Sequence, residues 1–173
     1  MTDRYTDAEQ LLVGRLLLGG EYYQVAPLVG VGHFQSMDAA RVFAAIAALC
    51  EAGLPVNRLG LQAQLGSEYP RLRPWLADLY TQGQVSGPAA ALAEVVREGY
   101  HRRRALALAE RLATAAYDDS TDITATQAAV AGELLHGRAD RQQEAVGAVA
   151  ERVTATLQAW SAQPLEPGQV RGL

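Results

Sequence analysis

The most restrictive feature of this sequence is a long segment that contains no residue that forces a break in a helix. It follows Ser86-Gly87-Pro88, where proline suits the first position of a helix because its missing N–H needs no partner there. From this point to Tyr117 nothing forces a break, so the segment predicts one helix of roughly 45 Å. The high alanine content and the scarcity of β-branched residues also favour helix, and we expect an all-α fold.

The apolar residues of this long helix change face midway. Residues 92–99 follow one helical stripe and residues 105–115 follow another. We therefore expect the second half to leave the core that the first half joins. After a polar turn at residues 118–122, a second helix carries Val130 and Leu134, which completes an antiparallel helical hairpin. The hairpin is rich in alanine and weak alone, so it should pack against another surface, most simply a second copy.

Local signals in the preceding part predict a helical head. Thr6 and Glu9 fit a capping box at the start of the first helix, in which each side chain satisfies a free backbone N–H. Ser36 and Asn57 suit the N-cap positions of two later helices. The clearest helical periodicity spans residues 71–81, which we expect to lie across the core.

The last part of the chain predicts a linker and one further helix. The polar segment 136–143 contains a glycine and interrupts the hairpin pattern. An amphipathic helix then places Val146, Ala150, Val153, Leu157 and Trp160 on one side. Such a face fits a partner surface and packing within this chain equally well. The predicted divisions are a head over 1–104, a hairpin over 105–137 and a linker with its helix over 138–173.

The composition excludes several kinds of chemistry. All fifteen basic residues are arginine, and without lysine there is no nucleotide-binding loop of the G-x-x-x-x-G-K-[ST] type and no Schiff-base lysine. The histidines His33, His101 and His136 lack partners at metal-ligand spacing, and a single cysteine, Cys50, forms no disulfide or zinc cluster. Cys50 lies in an apolar run and is interpreted as a buried hydrophobe rather than a reactive thiol. We expect no catalytic residues, no metal and no cofactor.

The charge and the hydropathy of the chain limit where the protein is expected to be found and what it is expected to bind. The net charge of −4 argues against DNA binding by this chain alone. The one basic cluster, His101-Arg102-Arg103-Arg104, is either a solvated face paired with Glu94, Glu98 and Glu110 or a contact for an acidic or phosphate-bearing partner. Neither a signal peptide nor an apolar run of membrane-spanning length is present, which predicts a soluble, cytoplasmic protein with no membrane contact.

Three groups of segments are informative through their order and spacing along the chain. They are Asp7–Gly14 with the leucines that follow it, His33-Phe34 before the helix that ends in Ala52–Asn57, and Val96-Arg97-Glu98 before Arg102-Arg103 and Ala113–Asp118. Together they resemble the N-terminal domain of bacterial replicative DNA helicases of the DnaB type. The ending Gly168–Leu173 is similar to the stretch just before the motor domain of that family.

The resemblance implies a function in assembly. In the family, this domain forms dimers through its hairpin, and three dimers build a collar where primase docks and where loaders or initiators also bind. The linker helix packs on the motor domain of a neighbouring subunit. The parent protein would be an ATP-dependent DNA helicase, and the present chain, which lacks that motor, is expected to be a fragment without ATPase activity.

Two sets of residues are therefore expected to carry the function. The dimer face is predicted at Leu108, Leu112, Ala115, Val130 and Leu134. The partner face of the linker helix is predicted at Val146, Val153, Leu157 and Trp160. Two alternatives stay open: a small helical DNA-binding regulator, and an enzyme that would carry a bound cofactor or metal.

Overall fold

The computed structural model describes residues 4–135, and every regular element in that range is helical. The α-helices are α1 (Arg4–Leu17), α2 (Tyr22–Val25), α3 (Met37–Glu51), α4 (Arg58–Leu65), α5 (Tyr69–Val85), α6 (Ala89–Tyr117) and α7 (residues 123–135), with short 3-10 turns at Val31–His33 and Gly66–Glu68. Of the described residues, those up to Ile123 belong to one compact unit and residues 124–135 belong to another. The predicted all-α fold is confirmed.

Several helix ends follow from local sequence signals. The Ser36 hydroxyl accepts a hydrogen bond from the Ala39 N–H at the start of α3, and the Asn57 side chain accepts one from the Gly60 N–H at the start of α4. Both predicted N-caps are therefore confirmed. After α1, Gly19 and Gly20 adopt φ angles of 83° and 92°, which residues with a Cβ rarely adopt.

The first unit is built around α1, which contacts α5 and α6 most extensively. Leu12, Val13 and Leu16 of α1 are completely or almost completely buried. Leu72 and Leu79 of α5 close the core from the other side, so the helix predicted at residues 71–81 does lie against it.

A close helix crossing joins α1 to α5. Gly14 faces Gly83, and a Cβ on either glycine would collide with the backbone of the other helix. The absence of side chains at both positions lets the two backbones touch. This crossing fixes how α5 lies on α1, and hence the shape of the surface between them.

The capping box predicted at Thr6 and Glu9 is wrong. Arg4 is already helical, so Thr6 lies inside α1. Glu9 is fully buried, and its two carboxylate oxygens accept hydrogen bonds from the backbone N–H groups of Gln35 and Ser36 at 2.7 and 2.9 Å. Instead of capping its own helix, Glu9 holds the segment that leads into α3.

Candidate interaction surfaces

The second half of α6 carries the first three residues of the predicted dimer face. Leu108 and Ala115 are buried within the single chain, and Leu112 is half-buried. Their spacing of i, i+4 and i+7 puts them on one side of the helix. That side is therefore largely covered without a second copy.

The helix α7 carries the other two residues of the predicted dimer face. Val130 is buried, whereas Leu134 and its neighbour Leu135 are exposed by 51% and 66%. The polar turn before α7 is closed by Asp118, whose carboxylate accepts hydrogen bonds from the Ser120 N–H and the Thr121 hydroxyl. The Ser120 hydroxyl donates a further hydrogen bond to this carboxylate. That bond first, then the one from the Thr121 hydroxyl and the one from the Ser120 N–H, hold the pKa of Asp118 below its ordinary value and fix the end of α6.

A second stripe on α6 faces solvent. It consists of Leu106, Ala109, Ala113 and Tyr117, and we call it the outer stripe. Leu106 is exposed by 70% and Tyr117 by 92%, and both alanines are exposed. Spacings of three, seven and eleven residues from Leu106 place the stripe on the side of α6 opposite Leu108 and Ala115. The outer stripe was not predicted from the sequence, because apolar periodicity alone does not tell which of two stripes is covered.

The predicted partner face of the linker helix, at Val146, Val153, Leu157 and Trp160, lies outside the described residues. The same holds for the boundary predicted at residue 138.

The basic cluster on α6 is engaged within the chain. Arg102 pairs with Glu98, four residues earlier, at 2.7 Å. Arg97, which precedes the cluster on the same helix, pairs with Glu94, three residues earlier. Arg103 Nη2 donates a hydrogen bond to the His33 carbonyl at 2.6 Å. The interpretation as a paired face is confirmed for Arg102, whereas Arg103 has a role in the interior of the head that the sequence did not indicate.

Arg103 also stands close to the buried carboxylate of Glu9. Its Nη2 lies 3.6 Å from Glu9 Oε1. The carboxylate thus receives two backbone N–H groups and a nearby guanidinium, which compensates for its removal from water. The cluster links α1, α6 and the segment before α3, so it stabilises the head rather than presenting chemistry to a ligand.

Within residues 4–135, no group of three or more metal-binding side chains lies together. Cys50 is partly buried. Its burial, and to a smaller extent the nearby charge of Glu51, raises the pKa of its thiol. A raised pKa leaves less reactive thiolate at neutral pH, in keeping with the interpretation of Cys50 as a packing residue. In the same part of the chain, no helix has the length and apolar character needed to cross a membrane.

A family model described as the DnaB-like helicase N terminal domain matches residues 2–98, more than half of the chain. The chain belongs to that family. The resemblance seen in the sequence is thereby confirmed. The matched range covers α1 to α5 and the first part of α6, and it ends before the predicted hairpin.

A solved structure has a similar fold. The N-terminal domain of DnaB helicase from Mycobacterium tuberculosis superimposes with a TM-score of 0.60 and 21% sequence identity, covering 75% of this chain and 94% of that one. At this identity the likeness concerns the fold. A comparison with curated protein sequences finds no match.

The family assignment establishes the type of domain but not its partners. The chain is an N-terminal domain of the DnaB helicase type, a domain that is not itself catalytic. How it associates, and with which partners, depends on the surfaces described above.

Proposed function

We propose that this chain is a non-catalytic assembly domain of a replicative DNA helicase, which forms dimers through residues 105–135 and so builds the collar of a hexamer. The observation that carries the proposal is the outer stripe of α6. A continuous line of apolar side chains on an exposed helix face is a typical site of association between helices. Its burial would stabilise a dimer at roughly 25 cal/mol per Å² of apolar surface.

The five residues predicted from the sequence take different parts in this proposal. Leu108, Ala115 and Val130 are buried in the single chain, so they would shape the segment that a second copy meets. Leu134 is exposed and Leu112 is half-buried, so these two would contact the partner. The outer stripe would add most of the apolar area.

The collar would serve as a docking platform. We infer that primase binds it, that a loader or initiator also contacts the domain, and that the linker helix packs on the motor of a neighbouring subunit in the parent ATP-dependent helicase. Repetition of the dimer around a ring would present each docking surface several times. This work would take place in the cytoplasm, where bacterial DNA is replicated.

Light scattering coupled to size exclusion tests the dimer. The unaltered chain is expected to have at least the mass of a dimer, whereas Leu106→Glu should give a monomer because it puts a charge into the outer stripe. Leu112→Arg should do the same while the head stays folded. Leu59→Glu is the matched control, since Leu59 is 76% exposed on α4 of the head. A dimer that persists in both Leu106→Glu and Leu112→Arg would refute the proposed interface.

Primase docking has a separate test. Primase from the same organism should co-elute with the unaltered chain and with Leu59→Glu, but more weakly with Leu106→Glu, because a monomer offers only part of the platform. If the unaltered chain and both variants co-eluted with primase equally well, primase binding would not depend on dimerisation. The collar would then not explain primase binding. If the chain retarded duplex DNA in a gel mobility-shift assay, the alternative function as a DNA-binding regulator would be favoured instead.

A further inference from the structure

The head contains an apolar cleft at the edge of its core, and the proposed dimer face takes no residue from it. Its volume is about 460 Å³. It opens between the end of α1, the start of α4 and one side of α5. Aliphatic side chains form much of its wall, namely Leu17, Leu18, Val56, Leu61 and Leu76. Two tyrosines also line it, the buried Tyr69 and Tyr80, which is exposed by 47%.

Two arginines line the same cleft. Arg58 begins α4, and Arg73 lies on α5, one turn before Leu76 and Ala77. Both residues are exposed. Each guanidinium carries several N–H donors in a planar fork that matches a carboxylate.

These two arginines differ from the others in the part of the chain that the structure describes. Elsewhere in residues 4–135, every arginine has an ion pair or another polar interaction. Arg71, next but one to Arg73, pairs with both Asp38 and Glu68. Among the residues that the structure describes, Arg58 and Arg73 have no such partner, and in the whole sequence acidic residues outnumber basic ones by 19 to 15. Their positive charge is therefore available at the apolar cleft.

From this combination we propose that the cleft binds an acidic segment of a partner protein. A large apolar side chain of that segment would enter the cleft, and flanking Asp or Glu carboxylates would pair with Arg58 and Arg73. Burial of the apolar side chain would supply affinity, and the two charge-assisted contacts would select for acidic neighbours.

The composition of the wall favours a protein segment over a nucleic acid. Phosphate backbones are held by extended basic tracks, and their bases stack on aromatic platforms. This cleft has two arginines and a mostly aliphatic wall, and of its two tyrosines Tyr69 is buried and offers no open ring face for stacking. The chain is also acidic as a whole. A mostly aliphatic wall that also carries two positive charges fits leucine- or phenylalanine-type side chains next to carboxylates.

The proposal is independent of the dimer, because the cleft takes no residue from α6 or α7. Its test uses the complete 173-residue chain as the target for a displayed library of random short peptides. The enriched peptides are expected to share a large apolar residue flanked by Asp or Glu. The most enriched one is then synthesised with a fluorophore, and its Kd is measured by anisotropy.

Matched variants locate the binding site. Arg58→Gln with Arg73→Gln removes the two charges while keeping side chains of moderate length, and it should raise the Kd at least about tenfold. Gln64→Glu with Gln82→Glu changes the net charge of the chain by the same amount on the same two helices, outside the cleft, and should leave the Kd within about twofold. Ala77→Phe fills the cleft from an exposed position and should also abolish binding, without removing a core residue.

Three results would overturn the proposal. One is a library that yields no enrichment, or enrichment without acidic residues. Another is an equal Kd for the arginine pair and the glutamine pair. The third is tighter, cleft-dependent binding of a labelled oligothymidylate, which would assign the surface to single-stranded nucleic acid. The mass of each variant by light scattering distinguishes these results from loss of the dimer.

Discussion

Glu21 accepts a hydrogen bond from the backbone N–H of Ala89 at 2.9 Å, although 68 residues of sequence separate the two. Ala89 is the first residue of α6, and no side chain of its own neighbourhood caps that helix. The carboxylate of Glu21 therefore acts as a cap supplied from the loop after α1. Arg15 holds it in place with an ion pair of 2.5 Å.

Loss of this remote cap should destabilise the head in a pH-dependent way. The pKa of Glu21 is held below its ordinary value of 4.5 mainly by the hydrogen bond from the Arg15 side chain and secondly by the one from the Ala89 N–H. Because the folded pKa is the lower one, the stabilisation is fully present above about pH 4.5 and is lost as the pH falls through the folded pKa. Glu21→Gln should lower the free energy of unfolding by about 1 kcal/mol at neutral pH, and by less in acid.

Urea unfolding followed by far-UV circular dichroism at several pH values measures this effect. Asp78→Asn is the control, since Asp78 is exposed on α5 and should change the unfolding free energy little at any pH. A loss from Glu21→Gln that stays constant down to about pH 3 would contradict the role of the ionised carboxylate.

The crossing of α1 and α5 leads to a second prediction. Gly14→Ala would place a Cβ against the backbone at Leu79 and Gly83, where no flexible side-chain end can move aside. We expect a loss of about 2 kcal/mol or more in the unfolding free energy of the head. Gly132→Ala is the control, because a Cβ there meets nothing within 4 Å and alanine favours helix. Similar stability of both variants in thermal unfolding would show that the helices do not touch at Gly14.

Features that depend on neighbours in sequence were predictable, and those that depend on distant partners were not. Ser36 and Asn57 cap helices that begin directly after them, so the residue type was sufficient evidence. Glu9 also matched a local motif, yet its partners lie 26 and 27 residues away. The capping box failed because a tertiary contact competed for the same carboxylate.

The same reason limits what could be foreseen of the interaction surfaces. Periodicity found the stripe that contains Leu108 and Ala115, but it did not distinguish a covered stripe from the outer one that contains Leu106 and Tyr117. The cleft could not be foreseen either, because Arg58 and Arg73 approach the same space only after α4 and α5 have packed.

The reactivity of Cys50 gives a third prediction. Partial burial raises the pKa of its thiol, so little thiolate is present in the folded chain at neutral pH. A disulfide reagent such as Ellman's reagent should react with the native chain at least about tenfold more slowly than with the chain unfolded in urea. Since Cys50 is the single cysteine, the colour released reports on this residue alone. Equal rates in the two states would contradict its assignment as a packing residue.

The buried carboxylate of Glu9 should matter more to stability than any exposed ion pair on the same helices. Glu9→Ala would leave the N–H groups of Gln35 and Ser36 without their acceptor, and Arg103 without its nearby negative charge. We expect the free energy of unfolding to fall by about 3 kcal/mol. Glu98→Gln, which removes the charge that pairs with Arg102 and Arg4 at the surface, should cost about 0.5 kcal/mol or less.

A double-mutant cycle separates the two contributions at Glu9, that of the backbone N–H groups and that of the Arg103 guanidinium. If the guanidinium of Arg103 is stabilised by the carboxylate, Arg103→Gln should destabilise the head less in the Glu9→Ala background than in the unaltered chain. Strict additivity in urea unfolding would mean that Glu9 acts only through the backbone of Gln35 and Ser36. In that case Arg103 would hold the head together through the His33 carbonyl alone.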